Sequence, residues 1–378
     1  MNLTEQSPCR EYASEALAAF RESVERIVLE HRASAGPDDI RHVRVFDWIG
    51  RVIGLTGYIL AAWQLNPLSP ILIVIAQMGR WGLAHQILHH SYDHIPNCPD
   101  SLNGTKFGRG WRRLWDWGDW IIPEAWQMEH NIHHVYTGSR NDPDVVEANL
   151  DFLRRSPLPI WRKAGLALLI MCTWRLTYYA PSTLLQLRSK ERRLAPITYD
   201  IQNVWMFGFV FNPLSEVGRD FWRRCILPYA SLRFVGIPLL FATVRWDAAF
   251  RVFVTQIIAE VLLNFYSWAL IASTHTAPDM FRFDHEPSGK EEWYLHQNLG
   301  TANYTHRSGW GNWSAAWINY QIEHHLGPNL TLLQLERCTE PIHAACVKYS
   351  IPFVTEALPR RFVKMFSVVL GIRSMRRG

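Results

Sequence analysis

The stretch His130-Asn-Ile-His133-His134 places three imidazoles at positions i, i+3 and i+4. On an α-helix those positions share one face, so the three rings aim at a common point. Two further groups flank it: His85-Gln-Ile-Leu-His89-His90 upstream, and Gln321-Ile-Glu-His324-His325 downstream. Eight of the sixteen histidines fall in these three boxes. Packed together without a cation, so many imidazoles would leave buried donors and acceptors unsatisfied, and protonating them would set like charges side by side. A bound metal removes both difficulties. A structural zinc is saturated by four ligands, whereas eight or nine imidazoles suit two ions of four or five ligands each. Ligand type alone does not choose among iron, copper, nickel and zinc. Isolated histidines such as His31, His42 and His343 read as solvated or hydrogen-bonded side chains.

Apolar stretches separate the boxes. Residues 46–63 and 68–84 form one pair around Gln64-Leu65-Asn66-Pro67, and residues 226–244 and 248–273 form a second around Arg245-Trp246-Asp247. Each pair reads as a hairpin that crosses a membrane and returns, although Arg233, Arg251 and Glu260 interrupt the second. If boxes two and three share a site, the chain crosses an even number of times between them. The stretch from Ala164 to Leu185, which holds Arg175 and Pro181, is therefore expected to be an interfacial or shallowly inserted helix, not a fifth span. The expected architecture is an all-α integral membrane protein with about four transmembrane helices, and a cytosolic helical cap carrying a histidine-rich dinuclear metal site. Residues 1–45 are expected to be an N-terminal cytosolic segment. Within them the apolar positions of Glu11 to His31 recur every three or four residues, the mark of an amphipathic helix. Residues 46–353 form the membrane unit and 354–378 a basic tail. Lys and Arg concentrate in residues 1–45, 85–225 and 273–378, which by the positive-inside rule puts both termini and the boxes in the cytoplasm.

Composition agrees with a membrane setting: among 378 residues, 18 Trp, 18 Phe and 13 Tyr suit aromatic belts at the two interfaces. Mean hydropathy is slightly negative, so the spans must be few and joined to large polar portions. Six cysteines without a CxxC pair argue against a zinc ribbon or a disulfide framework. A net charge of +5 with no basic block interleaved with aromatics gives no reason to expect a nucleic-acid surface. Residues 1–40 carry no signal-peptide pattern.

In order and spacing the three boxes resemble those of the membrane fatty acid desaturases. Box one is similar to their HxxxH motif and box two to their HxxHH. Asn319-Tyr-Gln-Ile-Glu-His-His-Leu326 resembles the third box of the front-end subgroup, in which Gln replaces the first His. Asn298-Leu-Gly-Thr-Ala-Asn303 and Ile351-Pro-Phe353 are also similar to family segments, and the resemblance runs from the first hairpin to about Phe353. It implies a fatty acyl desaturase, an oxidoreductase that uses O2 and two electrons to remove two hydrogens from an unactivated lipid hydrocarbon chain. Carried over residue by residue, it implies ligation of two Fe ions by His85, by His89 or His90, by His130, His133 and His134, and by His324 and His325. His275, where the last span ends, is expected as a further ligand. Gln321 is expected either to ligate through its carbonyl oxygen or to orient a bound water. Asp142, Asp144, Glu129 and Glu323 are candidates to accept ring N–H bonds.

The chain has no HPGG haem motif, so electrons are expected from a separate ferredoxin or b-type cytochrome with its reductase. Arg109, Arg112, Arg113, Arg154 and Arg155 offer a docking surface for it, with a solvated or headgroup-facing role the equal alternative. A hydroxylase or acetylenase of the same family is the alternative chemistry, since rebound after the first hydrogen abstraction gives an alcohol. A non-redox membrane metal-binding protein is the more remote reading. Such a protein would place ligands within its spans, whereas the boxes lie at or beyond span ends.

Overall fold

In a computed structural model the chain is described over residues 12–194, 208–305 and 309–378. Glu11, the first residue of the amphipathic stretch, and Cys9 lie outside the described residues. The principal helices in chain order are α1 (Ser14–Ser34), α2 (Pro37–Trp63), α3 (Leu68–Leu88), α4 (Pro123–Tyr136), α5 (Ile160–Met171) and α6 (Ala180–Glu191). They continue with α7 (Glu216–Ala242), α8 (Trp246–His275), α9 (Lys290–Leu299), α10 (Gln321–Leu326), α11 (Leu332–Lys348) and α12 (Leu358–Val369). Leu17, Phe20, Val24 and Ile27 make the buried face of α1, which packs on α9 and α11 and so lies on the body of the protein.

Helices α2, α3, α7 and α8 are long and apolar enough to cross a membrane. Helix α2 packs along α3 and α7 along α8, while α8 also packs against α2 and α3. On α2 the large side chains Trp48, Val52, Leu55, Ile59 and Trp63 recur at helical spacing and are exposed, whereas Gly50, Gly57 and Ala61 are buried. A continuous exposed apolar stripe of this kind suits hydrocarbon, not water. Close approach explains Gly57: a Cβ there would meet the Ser69 carbonyl at 3.1 Å and Ile73 Cγ1 at 2.9 Å.

The charges that interrupt the second hairpin face protein. Glu260 lies 3.3 Å from Arg233 Nε and accepts from Trp120 Nε1 at 2.7 Å and Tyr229 Oη at 2.8 Å. Arg251 donates from Nε to the Ala62 carbonyl at 3.0 Å, at the C-terminal end of α2 where carbonyls lack helical partners. Such pairing is what makes ionised groups tolerable at membrane depth.

Helix ends differ from the apolar stretches in a consistent way. Helix α2 begins at Pro37, ahead of residue 46, and the Asp39 carboxylate accepts from the Gly36 N–H at 2.8 Å. Helix α7 begins at Glu216, ahead of residue 226, with Ser215 Oγ accepting from the Gly218 N–H at 2.9 Å. Hydropathy marks only the part of a helix in hydrocarbon, and a cap marks its true start. Helices α3 and α8 run past their apolar stretches to Leu88 and His275.

The stretch from Ala164 to Leu185 is not one helix. It comprises most of α5, a π-helical turn at Arg175–Tyr179 and the start of α6. At twelve residues α5 is about 18 Å long, against roughly 30 Å of hydrocarbon. Trp161, Leu166 and Leu169 are exposed on it, and the buried Arg175 is paired with Asp119. Two more π-helical turns, Trp222–Ile226 and Ser231–Gly236, lie in α7, and all three end two residues ahead of a proline: Pro181, Pro228 and Pro238. Proline lacks an N–H and its ring clashes with the carbonyl four residues back, so a widened turn relieves both problems without ending the helix.

Residues 354–378, read from sequence as a tail, pack against the body. Helix α12 lies on α8, with Arg361 fully buried between the Ser273 carbonyl at 3.1 Å and Asp279 at 2.8 Å. Arg376–Arg377 pair in parallel with Phe281–Arg282, and Asn303–Tyr304 with Thr355–Glu356. The five described cysteines are free thiols.

Candidate metal centre

Each histidine box sits on a helix end that points its rings inward. His85 occupies the last turn of α3 and His89 is its C-cap, so the two share a face. Helix α3 stops because His90 takes φ +61°, the left-handed conformation. That turn swings His90 away: its Nδ1 lies 2.7 Å from Asp93 Oδ2 and half the side chain is exposed. Of the pair left open by the sequence, His89 joins the cluster and His90 does not. Helix α4 supplies His130, His133 and His134 from one face, α10 supplies His324 and His325, and the last residue of α8 is His275.

These side chains form two groups. One nitrogen from each of His85, His89, His130, His134 and His324 lies within 4.8 Å of all the others, and the same holds for His133, His275 and His325. In the first, Nε2 atoms approach at 2.9 Å (His85–His130), 3.2 Å (His130–His134) and 3.0 Å (His134–His324). An imidazole nitrogen has either one proton or one lone pair, so His134 Nε2 cannot aim at both neighbours with a hydrogen bond. A cation at the shared centre satisfies all of them. The groups abut, with the His134 and His325 ring centroids 4.4 Å apart.

In the second group each Nδ1 is held from outside. His133 Nδ1 lies 2.7 Å from Asp142 Oδ1, His325 Nδ1 donates to Gln297 Oε1 at 2.8 Å, and His275 Nδ1 to the Gly300 carbonyl at 3.3 Å. This fixes each ring and leaves Nε2 as the donor toward a metal. His325 Nε2 is buried and meets no hydrogen-bond partner among the described residues. The Gln321 amide nitrogen sits 2.8 Å from His275 Nε2, which places this side chain at the edge of the group. Among the described residues no carboxylate or thiolate belongs to either group, a donor chemistry suited to transition metals and not to calcium or magnesium. The residues therefore fit two metal ions.

Electrostatics agree. Burial, reinforced by neighbouring imidazoles, holds His130, His134, His324 and His325 well below the usual imidazole range, in the neutral form that binds metal. For His133 burial also opposes charge, but the Asp142 carboxylate and its hydrogen bond, with Asp144, outweigh it and lift the ring to about 8. A more basic ring is a stronger donor.

Of the carboxylates considered for this supporting role, Asp142 holds His133, and Asp144 is farther away at 3.8 Å. Glu129 instead accepts from Ser182 Oγ at 2.7 Å, and Glu323 from Asn303 Nδ2 at 2.7 Å. Gln297 was not foreseen. It holds His325 and also donates from Nε2 to the His134 carbonyl at 3.0 Å, one residue ahead of the segment Asn298 to Asn303. That segment cradles box three: Gly300 accepts from His275, and Asn303 Oδ1 accepts the Ile322 N–H at 2.9 Å. The arginines considered for docking are mostly engaged within the chain. Arg109 pairs with Glu124 at 2.7 Å, Arg112 with Asp116 at 2.9 Å and Arg154 with Glu147 at 2.9 Å, while Arg113 donates to the Arg224 carbonyl. Arg155 also pairs, with Asp151 at 2.6 Å, but stays largely exposed.

Four membrane-length helices with a polyhistidine cluster at the ends of α3 and α8 define a class: helical membrane proteins built to hold metal beside the bilayer. Residues 61–357 match the fatty acid desaturase family, and the chain belongs to that family. It is 24% identical over 370 residues to an NADPH-dependent stearoyl-CoA 9-desaturase of Mycobacterium tuberculosis, covering 90% of this chain and 75% of the relative. A Delta(8)-fatty-acid desaturase of Euglena gracilis is 25% identical over 313 residues (80% and 66%), and human fatty acid desaturase 3 is 23% identical over 316 residues (78% and 59%). The chain thus spans about three-fifths to three-quarters of the length of these relatives. Family membership makes it an oxidoreductase of fatty acid metabolism with a lipid acyl substrate.

Proposed function

We propose that the chain desaturates a fatty acyl substrate with O2, at two irons held by His85, His89, His130, His134 and His324 on one side and by His133, His275, His325 and Gln321 on the other. The observation that carries this reading is an apolar cavity of about 340 Å3 walled by Trp174, Trp268, Ile271 and Ala272, which also has His275 in its lining. A cleft of about 30 Å3 shares Asp144, Trp174, Ile271 and His275 with it and is also lined by His85, His130, His133 and Gln321. A hydrocarbon in the cavity therefore lies against the metal-binding face.

These residues would hold iron, which with O2 and two electrons would supply an oxidant strong enough for an unactivated C–H bond. The chain does the rest. Its apolar walls gain about 0.8 kcal/mol for each methylene they bury and keep water from the reacting carbons. Their shape selects which carbons lie at the histidine end, and so where the double bond forms. Asp142, Gln297 and the Gly300 carbonyl hold three imidazoles in the tautomer that ligates. The electrons come from a separate ferredoxin or cytochrome. Residues 46–353 form the catalytic unit, and the histidine face and both termini are cytoplasmic.

The test is expression in a host of known lipid content, followed by mass spectrometry of total fatty acids with double-bond localisation. A new alkene that depends on His134 and His324 is the expected result. A new alcohol in its place would assign the chain to hydroxylation, and no new lipid across several acyl donors would overturn the reading.

A further inference from the structure

Away from the central cluster, a third group of metal-ligating side chains gathers where α9 meets the loop before it. Glu292 and His296 are i and i+4 on one face of α9, and His285 reaches them from the loop. His285 Nε2 lies 2.9 Å from Glu292 Oε1, and His296 Nε2 lies 3.8 Å from the same oxygen. Donors sharing one tetrahedral ion sit roughly 3.3 Å apart, given metal–ligand bonds of about 2.0–2.2 Å, so the two spacings bracket what one cation would draw together. The other carboxylate oxygen is fixed by the Ser288 N–H at 2.6 Å and the Ser288 hydroxyl at 2.5 Å, which aims Oε1 at the histidines.

A bond between His285 and Glu292 needs no metal. His296 is different. Its side chain is only 1% exposed and its ring stacks on Phe283 with centroids 3.5 Å apart. Neither ring nitrogen meets a hydrogen-bond partner among the described residues. A neutral imidazole carries one N–H and one lone pair, and leaving both buried and unmade is costly. A cation between His296 and Glu292 uses the lone pair and removes half of that deficit. His285 is 43% exposed, so an ion can enter from solvent.

We propose that His285, Glu292 and His296 bind one zinc-like divalent cation, distinct from the central histidine cluster, with water in the fourth position. Two nitrogens and one carboxylate oxygen form a borderline donor set that prefers zinc to calcium or magnesium. The ion would pin α9 to the loop that follows the Phe281–Arg282 strand. That helix also carries Gln297, which holds His325, and Trp293, whose Nε1 donates to the His134 carbonyl at 3.1 Å. The new site thus grips the outer side of the helix that positions two imidazoles of the central cluster.

The test is zinc stoichiometry of the purified full chain, read by elemental analysis after equilibration in chelator-buffered Zn2+ and washing. His285→Ala and Glu292→Gln should each bind about one zinc fewer per chain than the parent, whatever the central cluster takes up. In competition titrations the corresponding step should weaken by at least about tenfold. His296 is buried, so its replacement tests folding as well as binding, whereas His285 is 43% exposed and its alanine variant is expected to keep the fold. Equal zinc content in the parent and both variants would overturn the proposal, as would a parent whose entire zinc uptake disappears with His134→Ala and His324→Ala.

Discussion

His133 Nδ1 lies 2.7 Å from Asp142 Oδ1, and both side chains are almost wholly buried. The same carboxylate accepts the Gly138 N–H at 2.7 Å and the Asp144 N–H at 2.8 Å, so Asp142 ties the end of α4 to the loop after it while fixing one ring.

An amide cannot do this. Asn at 142 keeps the shape but offers one acceptor where the carboxylate offers two, and it turns an N–H toward a donor. Asp142→Asn should lower metal affinity or product formation by about 10–100-fold, with Asp144→Asn much milder at its 3.8 Å separation. Iron per chain and product yield, measured together, check this. Wild-type values for Asp142→Asn would mean the pair does not support the site.

His89 and His90 separate cleanly. His89→Ala should abolish product and reduce iron below the two per chain expected of active protein. His90→Asn, which tolerates the left-handed backbone, should leave product intact and shift stability by no more than about 0.5 kcal/mol. The reverse pattern would move the ligand to His90.

Ala272 lines the apolar cavity one helical turn before His275. Ala272→Leu adds three carbons to that wall and should exclude long acyl chains or move the double bond while iron content stays unchanged. Product with the parent's yield and double-bond position would show that the substrate runs elsewhere.

Topology is testable by cysteine labelling in a chain freed of native thiols. At exposed positions, Arg140→Cys, Lys190→Cys and Lys290→Cys should label from the cytoplasmic side, and Arg245→Cys, at the α7–α8 turn, from the other. Labelling of Lys190→Cys and Lys290→Cys from opposite sides would break the even number of crossings.

Much of the site was legible because helical geometry converts spacing into direction. HxxHH on α4 had to present three rings together, and the turn between α2 and α3 was marked by Asn66 and Pro67. His275 was readable only from where an apolar stretch ends. The choice between His89 and His90 was not readable, because it rests on one left-handed residue whose ring packs on Gly104, where a Cβ would sit 2.7 Å from His90 Nδ1. Gln297 was hidden for a similar reason: a lone glutamine on a helix has no periodicity, and its partner His325 lies on another helix, 28 residues on. The buried Arg175 looked like a charge to keep out of the bilayer, and only the tertiary structure supplies Asp119 to meet it.

The two widened turns of α7 give that helix a property its neighbour lacks. A π-helical turn holds a residue more than an α-turn, so shortening the chain by one within Ser231–Gly236 restores ordinary geometry and leaves the flanking segments in place. Helix α8 is regular from Trp246 to His275, and the same deletion there turns everything beyond it by about 100°. His275, as its final residue, would be carried off the central cluster. Length change should therefore accumulate along α7 over evolutionary time, while the residue count of α8 stays locked.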